Sequence, residues 1–390
     1  MTVFLDTLGI GLLIPIFPQI MNRFSTDHQD ITIHFGIFIG VYALAQFIAS
    51  PVLGAISDRF GRKIVLLCSL MGATLDYFFM AYAPTFTLLI IARVISGLTG
   101  ASMTVATAYV VDISEEKDRT TRFGYIGAAW GLGFIAGPAI GAILAQGGVI
   151  IPFWVAAILN LFNFIFGIFV LPESLSLDKR RAITIKAFNP FKSLIKTLSV
   201  PKVSLYVWVY FFIFLAGQSL AVNWYLYTEE KFHWSSLEIG ISLSFIGIIV
   251  ALSQGLLTRI LIPKLGETKA VTFGLVFYVL SFFLFSVVTQ SWMMYAVILL
   301  FGLTGVATPS LHSLASKFTP DQEQGELHGS IVSLENLAAV LAPALFTPLY
   351  SYFSSSTGII YFPGIVFLVS SLLYLLTLLF WTSIKSKAHI

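Results

Sequence analysis

Charged residues are scarce in this chain of 390 residues, since Asp, Glu, Lys and Arg together make up 11% of it. An ordinary soluble domain has roughly 25% charged residues and an apolar share of about 45 to 50%. Here the hydrophobic share is 57% and the mean hydropathy is +0.90. The composition excludes an ordinary soluble domain and predicts a polytopic membrane protein.

Cysteine is almost absent, because Cys68 is the only one in the sequence. No disulfide framework and no cysteine zinc site can be built from a single thiol. The sequence also contains no nucleotide-binding loop, no cluster of metal ligands and no recognisable nucleophile. We therefore expect no enzymatic activity, no cofactor, no bound metal and no nucleic-acid partner.

Long apolar runs divide the chain into two sets of six, each run having about the 20 residues needed to cross the hydrocarbon core. The first set covers 2–22, 34–56, 64–83, 86–111, 122–146 and 150–171, and the second covers 203–228, 237–261, 269–289, 291–316, 326–353 and 358–383. This pattern predicts an all-α protein with 12 transmembrane helices. Residues 1–171 are expected to form an N-terminal six-helix bundle, 172–201 a basic cytoplasmic linker and 202–390 a C-terminal six-helix bundle.

Lys and Arg are distributed unevenly between the two sides that these spans define. Almost all of the 22 fall on the side that holds the linker and both chain ends. The exceptions are Arg23 and Lys231 on the opposite side and Arg93 inside a span. Because cytoplasmic loops carry the excess of Lys and Arg, both termini are predicted to be cytoplasmic. Without any Asn-x-Ser/Thr sequon, the chain also fits a bacterial inner membrane.

The two halves repeat at an offset of 205 residues. The tetrapeptide Gly-Leu-Thr-Gly at 97–100 recurs at 302–305, Pro-Ala at 138–139 recurs at 343–344, and Gly61 recurs as Gly266. Duplicated halves in a transporter place the substrate between them near the bilayer midplane and move by rocking. The repeat therefore predicts a pseudo-symmetric, two-bundle transporter.

The densest charged stretch is the ten-residue connection 54–63, with the sequence GAISDRFGRK. We expect Gly54 to allow two helices to approach closely and Gly61 to permit a tight turn. Its three cations are Arg59, Arg62 and Lys63. The second copy, 263–269, keeps the glycine but has lost most of the charged pattern.

Four charged residues inside predicted spans, where a charge costs a few kcal/mol or more, are candidates for a functional role. They are Asp6, Asp76, Arg93 and Glu335. By helical rise, Asp76 lies roughly 18 Å from the cytoplasmic end of its span and Arg93 roughly 10 Å from the outer end of the next one, so their depths nearly coincide. They are expected to form an ion pair, which either opens when Asp76 is protonated or simply neutralises two buried charges.

Asp6 and Glu335 each leave two interpretations open. An acid near a helix N-terminus, as Asp6 is, is favourable for local reasons alone. Glu335 is near mid-bilayer, where desolvation keeps a carboxyl neutral for much of the time. It is either a proton carrier or a carboxyl hydrogen-bonded to a neighbour such as Asn336 or Gln218.

Two further groups of residues suggest a cavity and a moving helix. The polar residues proposed to line a substrate cavity, or alternatively to hold helices together, are Gln46, Gln218, Asn223 and Gln254. Small residues and a proline follow one another along the fifth span, where they favour close packing and a bend. They either let this helix rock against a neighbour or serve structural packing alone. Those that matter here are Gly133, Gly137, Pro138 and Gly141.

Several stretches of the sequence resemble a known family. They include 6–11 (DTLGIG), 42–46 (YALAQ), the charged connection, 75–77 (LDY), Arg93 with Gly97 and Gly100, and 133–141. Together they resemble the twelve-span drug:proton antiporter branch of the major facilitator superfamily, and in particular bacterial tetracycline/proton antiporters. The resemblance covers nearly the whole chain and is more specific in the first half.

This resemblance implies roles for individual residues. Asp6, Asp76 and Arg93 match membrane-embedded residues needed for coupled efflux. Asp58 and Arg59, within a gating loop that also takes in Gly54, Gly61 and Arg62, match a signature whose arginine pairs with an acid at the end of span four, here Asp112. Residues 133–141 match an antiporter motif, although Ala142 stands where a final glycine is usual.

The chain also departs from the tetracycline exporters. Their essential aspartate of span nine has no counterpart, because 270–289 contains no acid, and a histidine of span eight is missing too. Glu335 is the candidate to take over the acidic role. We expect a monomeric, proton-coupled exporter of an amphipathic organic compound or drug that works by alternating access. The alternatives are a specific nutrient, metabolite or siderophore transporter of the same fold, and a non-transporting membrane sensor or scaffold.

Overall fold

The structure, a computed structural model, describes residues 1–25, 27–100, 102–114, 119–176, 180, 195, 198–320, 324–355 and 360–388. Within these ranges the regular secondary structure is entirely helical. The helices of the first half of the chain are α1 (Thr2–Leu13), α2 (Phe17–Met21), α3 (His28–Phe60), α4 (Arg62–Tyr82), α5 (Phe86–Thr99), α6 (Ser102–Ile113), α7 (Arg119–Ala145) and α8 (Ile151–Val170).

The second half continues the same all-helical pattern. Its helices are α9 (Pro201–Phe232), α10 (Ser236–Leu252), α11 (Thr258–Leu265), α12 (Glu267–Val287), α13 (Ser291–Phe301), α14 (Ala307–Lys317), α15 (Gln324–Ser354) and α16 (Ile365–Ala388). A π-helical turn, Ser253–Leu257, joins α10 to α11, and a 3₁₀ turn, Gly302–Val306, joins α13 to α14.

Among the described residues, 11 helical segments are long and apolar enough to cross a membrane. They correspond to the second through twelfth predicted spans. The first predicted span, 2–22, is not continuous, because it is divided into the shorter apolar helix α1 and the one-turn helix α2. Pro15 falls in the interruption and Pro18 in the first turn of α2, and a proline lacks the N–H that a continuing helix would use.

Both copies of the repeated tetrapeptide interrupt a span. In the fourth predicted span, α5 ends at Thr99 with Gly100 as its C-cap. The tenth predicted span passes through the 3₁₀ turn Gly302–Val306. A Cβ on Gly97 would lie 2.6 Å from Ala45 Cβ, and one on Gly302 would lie 2.5 Å from Ile249 Cγ2. In each copy, the missing side chain lets the interrupted helix pack closely on a neighbour.

The turn predicted at Gly61 is present, and the structure has a second turn at the repeat position, Gly266. Gly61 has a φ of 110° between α3 and α4, and Gly266 has a φ of 75° between α11 and α12. Positive φ values are accessible to glycine without the steric cost that a Cβ imposes. The two turns are 205 residues apart, so the repeat seen in the sequence is also a repeat of backbone conformation.

The chain forms two compact units. The first comprises Met1–Thr26, Ile37–Pro190 and Ser235–Ser244, and the second comprises Asp27–Gly36, Phe191–Trp234 and Phe245–Ile390. In the first, α7 and α8 pack against α1, and α8 also packs against α4. In the second, α9 and α12 pack against α16, and α15 packs against α9. Each unit therefore buries its own apolar faces.

Candidate functional site

The first unit contains a buried ion pair between neighbouring helices. Asp76 lies in the second half of α4 and Arg93 in the middle of α5, and Arg93 Nη2 donates to Asp76 Oδ2. The side chains are only 8% and 2% exposed for Arg93 and Asp76, respectively. Ser96 also interacts with the Asp76 carboxylate. The ion pair expected from the two depths is thus present, deep inside the unit.

Aromatic rings surround the guanidinium of this pair. Arg93 Cζ lies 4.7 Å from the ring centroid of Phe38, 5.0 Å from that of Tyr42 and 5.7 Å from that of Phe17. A desolvated cation over an aromatic face gains about 2 kcal/mol. Nη2 also contacts Met80 Sδ at 3.1 Å, while Nε is buried with no hydrogen-bond partner in the described part of the chain. The rings stabilise Arg93 independently of Asp76, so the cation can remain in place when the acid is neutralised.

Asp6 belongs to the same neighbourhood. It lies half-buried on α1, and its carboxylate acts electrostatically on both Tyr42 and Tyr77, as Asp76 and Arg93 also do. The fold therefore brings Asp6, Asp76 and Arg93, the three candidate residues of the first half, around one pair of tyrosines. Both tyrosines lie in stretches that resemble the antiporter family, 42–46 and 75–77, but neither was predicted as a site residue, because depth and residue type do not distinguish them from other aromatic residues of the spans.

The charged connection between α3 and α4 is organised by Arg62. Its Nη1 is 2.6 Å from Asp58 Oδ1 and donates to Ser57 Oγ at 2.6 Å, and its Nε donates to Asp112 Oδ2 at 3.0 Å. The expectation that Arg59 pairs with Asp112 is therefore wrong for this structure. Arg59 is exposed and its Cζ lies 5.5 Å from the ring centroid of Phe60. Arg62 lies one helical turn later, beyond the Gly61 turn, and so reaches the end of α6.

Glu173, which sequence reasoning missed, covers the start of α4. Its carboxylate accepts hydrogen bonds from the backbone N–H groups of Arg62 at 2.8 Å and of Lys63 at 3.3 Å. A Cβ on Gly61 would lie 2.2 Å from Glu173 Oε2. An acid placed on free N–H groups at a helix N-terminus is favourable. A signal existed in the sequence, since Glu173 is the first acid after the sixth span on the side where α4 begins.

The glycines of the first unit differ in how closely a neighbouring helix approaches them. The expected close helix approach at Gly54 is wrong, because a Cβ there would meet no atom of the described residues within 4 Å. In α7 the opposite holds, since a Cβ on Gly137 would lie 2.6 Å from Gly11 Cα and one on Gly141 1.9 Å from Leu12 O. Gly133 likewise approaches α1 at 2.9 Å from Leu8 N. The motif centred on Pro138 is thus a stripe of glycines on which α1 lies.

The second unit contains a candidate acid, Glu335, whose hydrogen-bond donor is uncharged. Glu335 lies on α15, part-buried, and its Oε1 accepts a hydrogen bond of 3.1 Å from Tyr210 Oη on α9. The neighbours expected from the sequence were Asn336 and Gln218, whereas the donor is Tyr210. Its ring stacks on Phe214 with 4.8 Å between centroids. This carboxyl has a neutral donor in place of an arginine.

The four candidate cavity residues have unlike surroundings. Gln46 Nε2 donates to Gly100 O at 2.8 Å, which joins α3 to the end of α5. Asn223 is fully buried and donates to Ser219 O at 3.4 Å, whereas Gln218 is half-buried. Gln254 is exposed within the π-helical turn. Gln46 holds two helices together, while the lining of a cavity by any of the four stays a prediction.

The second glycine turn carries its own ion pair. Glu267, the residue after Gly266, accepts from Lys317 Nζ at 2.5 Å and from Ser313 Oγ at 2.7 Å. Adding the offset of 205 to Arg62 and Asp112 gives Glu267 and Lys317. The pair is therefore repeated in the second unit with its two charges exchanged.

This helical architecture and its repeat match a known family over nearly the entire chain. The sequence fits the model of the Major Facilitator Superfamily over residues 1–343, and again over 260–389. The chain belongs to the Major Facilitator Superfamily. It is accordingly a multi-pass membrane protein of a transporter family and not an enzyme, as the sequence predicted.

Curated relatives narrow the position within the superfamily. The chain is 37% identical to the class C tetracycline resistance protein of Escherichia coli over 378 residues, which cover 97% of this chain and 93% of the relative. It is 35% identical to the class B protein of Escherichia coli over 352 residues, covering 89% of this chain and 86% of the relative. The resemblance to tetracycline/proton antiporters is thereby confirmed as kinship.

Solved structures confirm the major facilitator fold. The human organic anion transporter TETRAN superposes with a TM-score of 0.74 at 24% identity, covering 97% of both chains. The nucleoside transporter NupG superposes with a TM-score of 0.78 at 13% identity, covering 98% of this chain and 96% of that one. At these identities the likeness shows the fold alone.

Proposed function

We propose that this transporter exports an amphipathic organic compound in exchange for protons. The observation that carries the proposal is the buried Asp76–Arg93 pair, held among the rings of Phe17, Phe38 and Tyr42. A buried ion pair rarely stabilises a fold more than apolar residues would, so its presence calls for another role. Kinship with tetracycline resistance proteins supports drug efflux as that role.

In the proposed cycle, protonation of Asp76 breaks its ion pair while the aromatic rings keep the guanidinium of Arg93 in place. The freed cation then interacts with another group, and the packing around α4 and α5 changes. Asp6 binds a proton in the same neighbourhood, and Glu335 takes the acidic role in the second unit. The glycine stripe of α7 permits α1 to shift along it, which supports alternating access.

The gating role proposed for the charged connection rests on Arg62, Asp58 and Asp112, together with the turn at Gly61. This ion-pair network joins the end of α3, the start of α4 and the end of α6. Breaking and re-forming it is therefore a means of opening the transporter on one side of the membrane. The distribution of Lys and Arg supports a plasma-membrane location with both termini in the cytoplasm. We propose that the protein acts as a monomer.

The proposal is tested in everted membrane vesicles whose lumen is acidified by respiration. Tetracycline and a panel of amphipathic amines and acids are added, and proton release from the lumen is followed with a pH-sensitive dye. We expect at least one compound to release protons in the presence of the wild-type protein. Asp76→Asn should reduce that release at least tenfold at an unchanged amount of protein in the membrane. Asp30→Asn, which alters an exposed acid at the start of α3, is the control.

Unchanged coupled transport by Asp76→Asn would remove Asp76 from the mechanism. A response to a single metabolite, with none to drugs, would favour the narrow nutrient, metabolite or siderophore transporter. The sensor or scaffold interpretation would gain support from the absence of flux with every compound together with a tightly bound partner protein.

A further inference from the structure

Two asparagines of α8 have buried oxygens that accept no hydrogen bond from any described residue. Asn160 and Asn163 are both 0% exposed, and each uses its amide nitrogen, Nδ2, to donate to a backbone carbonyl. Oδ1 of each is buried and has no hydrogen-bond partner in the described ranges of the chain. A buried acceptor left without a donor is destabilising. Two of them, one helical turn apart on one face of α8, call for a donor.

Asp6 lies on α1 between the points where these asparagines touch it. Asn163 Nδ2 donates to Thr2 O at 2.9 Å, and in an α-helix the carbonyl of Thr2 is the acceptor for the N–H of Asp6. Asn160 Nδ2 lies 2.6 Å from the position that a Cβ on Gly9 would take. Thr2, Asp6 and Gly9 follow one another at the four- and three-residue spacing that defines one helix face. The face of α1 that carries Asp6 is therefore the face that packs on the two amides.

An ionised carboxylate and an amide oxygen are both acceptors, so they repel one another, whereas a protonated carboxyl carries an O–H donor. We propose that Asn160 and Asn163 are positioning residues that hold Asp6 in its protonated form, with the carboxyl O–H donating to an amide oxygen of this pair. The inference rests on the proposed proton coupling and names the groups that stabilise the proton on Asp6. Asp6 takes its proton from water and returns it to water, so no other reactant is needed.

The charged and titratable groups around Asp6 leave this assignment intact. Helix α8 contributes none, since its sequence contains no Asp, Glu, Lys, Arg, His or Tyr. The other helices packed on α1 contribute Tyr109 and Asp112 in the sequence of α6 and Arg119, Arg122 and Tyr125 in that of α7. Asp6 also interacts electrostatically with Tyr42 and Tyr77, as do Asp76 and Arg93. Arg93 bonds Asp76, and the amides of Asn160 and Asn163 are the polar groups that α8 presents to this face of α1.

The test measures protonation directly and needs no transported substrate. Purified full-length protein in lipid nanodiscs is treated with dicyclohexylcarbodiimide, which modifies protonated carboxyls in apolar surroundings, and labelling of Asp6 is followed against pH by peptide mass spectrometry. We expect Asn160→Ala and Asn163→Ala each to lower the pH of half-labelling by at least one unit, a tenfold change in proton concentration. Asn223→Ala removes a fully buried amide of the second unit whose Oδ1 has no hydrogen-bond partner among the described residues, and should leave Asp6 labelling as in the wild type.

An unchanged half-labelling pH in both α8 variants would overturn the proposal. Infrared difference spectra of the wild type against Asp6→Asn provide a measurement that does not depend on the stability of the α8 variants. They should contain the carbonyl band of a protonated carboxyl at neutral pH, and its absence would also contradict the proposal. Protection of Asp6 by sodium chloride, compared with choline chloride, would instead assign the oxygens to a metal cation. Because none of these readouts involves transport, they separate failure of this inference from failure of the proposed function.

Discussion

The two glycine turns of this transporter have the same backbone and opposite charges. After Gly61 the chain places Arg62, which pairs with Asp112, and after Gly266 it places Glu267, which pairs with Lys317. The sequence of the second connection suggests decay, because most of the charged pattern is gone. The structure shows that the ion pair itself has been kept. What the repeat preserves is a link between the start of one helix and the end of another, and the sign of each charge is free to change.

Inside the membrane the two units differ more deeply. Positions 205 residues after Asp76 and Arg93 hold Ser281 and Ile298, so the second unit has no copy of the buried ion pair. Its own acid, Glu335, is bonded to the neutral Tyr210. A similar divergence affects packing, since Gly133, Gly137 and Gly141 of α7 correspond to Ala338, Ala342 and Phe346 of α15. Two halves with one fold therefore differ in the residues that hold a buried charge and in the residues that let helices pack closely.

The largest difference is expected when each acid loses its partner. Arg93→Met leaves Asp76 buried without its cation, which should destabilise the protein by about 3 to 5 kcal/mol. Tyr210→Phe should cost about 1 kcal/mol, because only a neutral hydrogen bond is lost. Thermal unfolding of both purified variants in one detergent measures the contrast. The double variant Arg93→Met with Asp76→Asn should recover part of the loss, and equal stability of the two single variants would erase the distinction between the units.

The glycine stripe should give the next largest effect. In Gly141→Ala the new methyl group meets the backbone at Leu12 O, so we expect a loss near the upper end of the overpacking range, about 3 kcal/mol. Gly131→Ala on the same helix points into open space among the described residues and serves as the control. In the second unit, Ala338→Gly should cost only about 0.5 to 1 kcal/mol. Denaturation midpoints that do not separate the two α7 variants would show that α1 does not depend on this close approach.

The smallest effects are expected at the two glycine turns. Arg62→Ala removes charged hydrogen bonds from a side chain that is 10% exposed, and should cost about 1.5 kcal/mol. Lys317→Ala removes a lysine that is 61% exposed, so the loss should stay below about 1 kcal/mol. Arg62→Glu combined with Asp112→Lys copies the charges of the second turn and should recover more stability than either single change. Thermal unfolding of the three variants at low and high salt measures this recovery. If the double variant is no more stable than the single variants, the first turn requires its original arrangement of charges.

Local features of the chain were predictable in detail. Span positions, the glycine turns and the depth match between Asp76 and Arg93 follow from apolar run length and the fixed rise of a helix. Features that depend on which way a side chain points around its helix were not. Arg62 in place of Arg59 at Asp112, Tyr210 in place of Asn336 at Glu335, and the capping role of Glu173 all required the rotation and separation of helices.

The sequence alone determined that this protein is a duplicated chain of membrane-spanning helices, because hydropathy, charge distribution and a constant offset are properties of the chain itself. Only the tertiary structure decided which polar groups meet. A carboxyl in a membrane helix becomes one half of an ion pair at Asp76 and the acceptor of a neutral hydrogen bond at Glu335. That choice is made by the neighbouring helix, since hydrogen bonds and ion pairs act over a few ångströms and the sequence does not specify those distances.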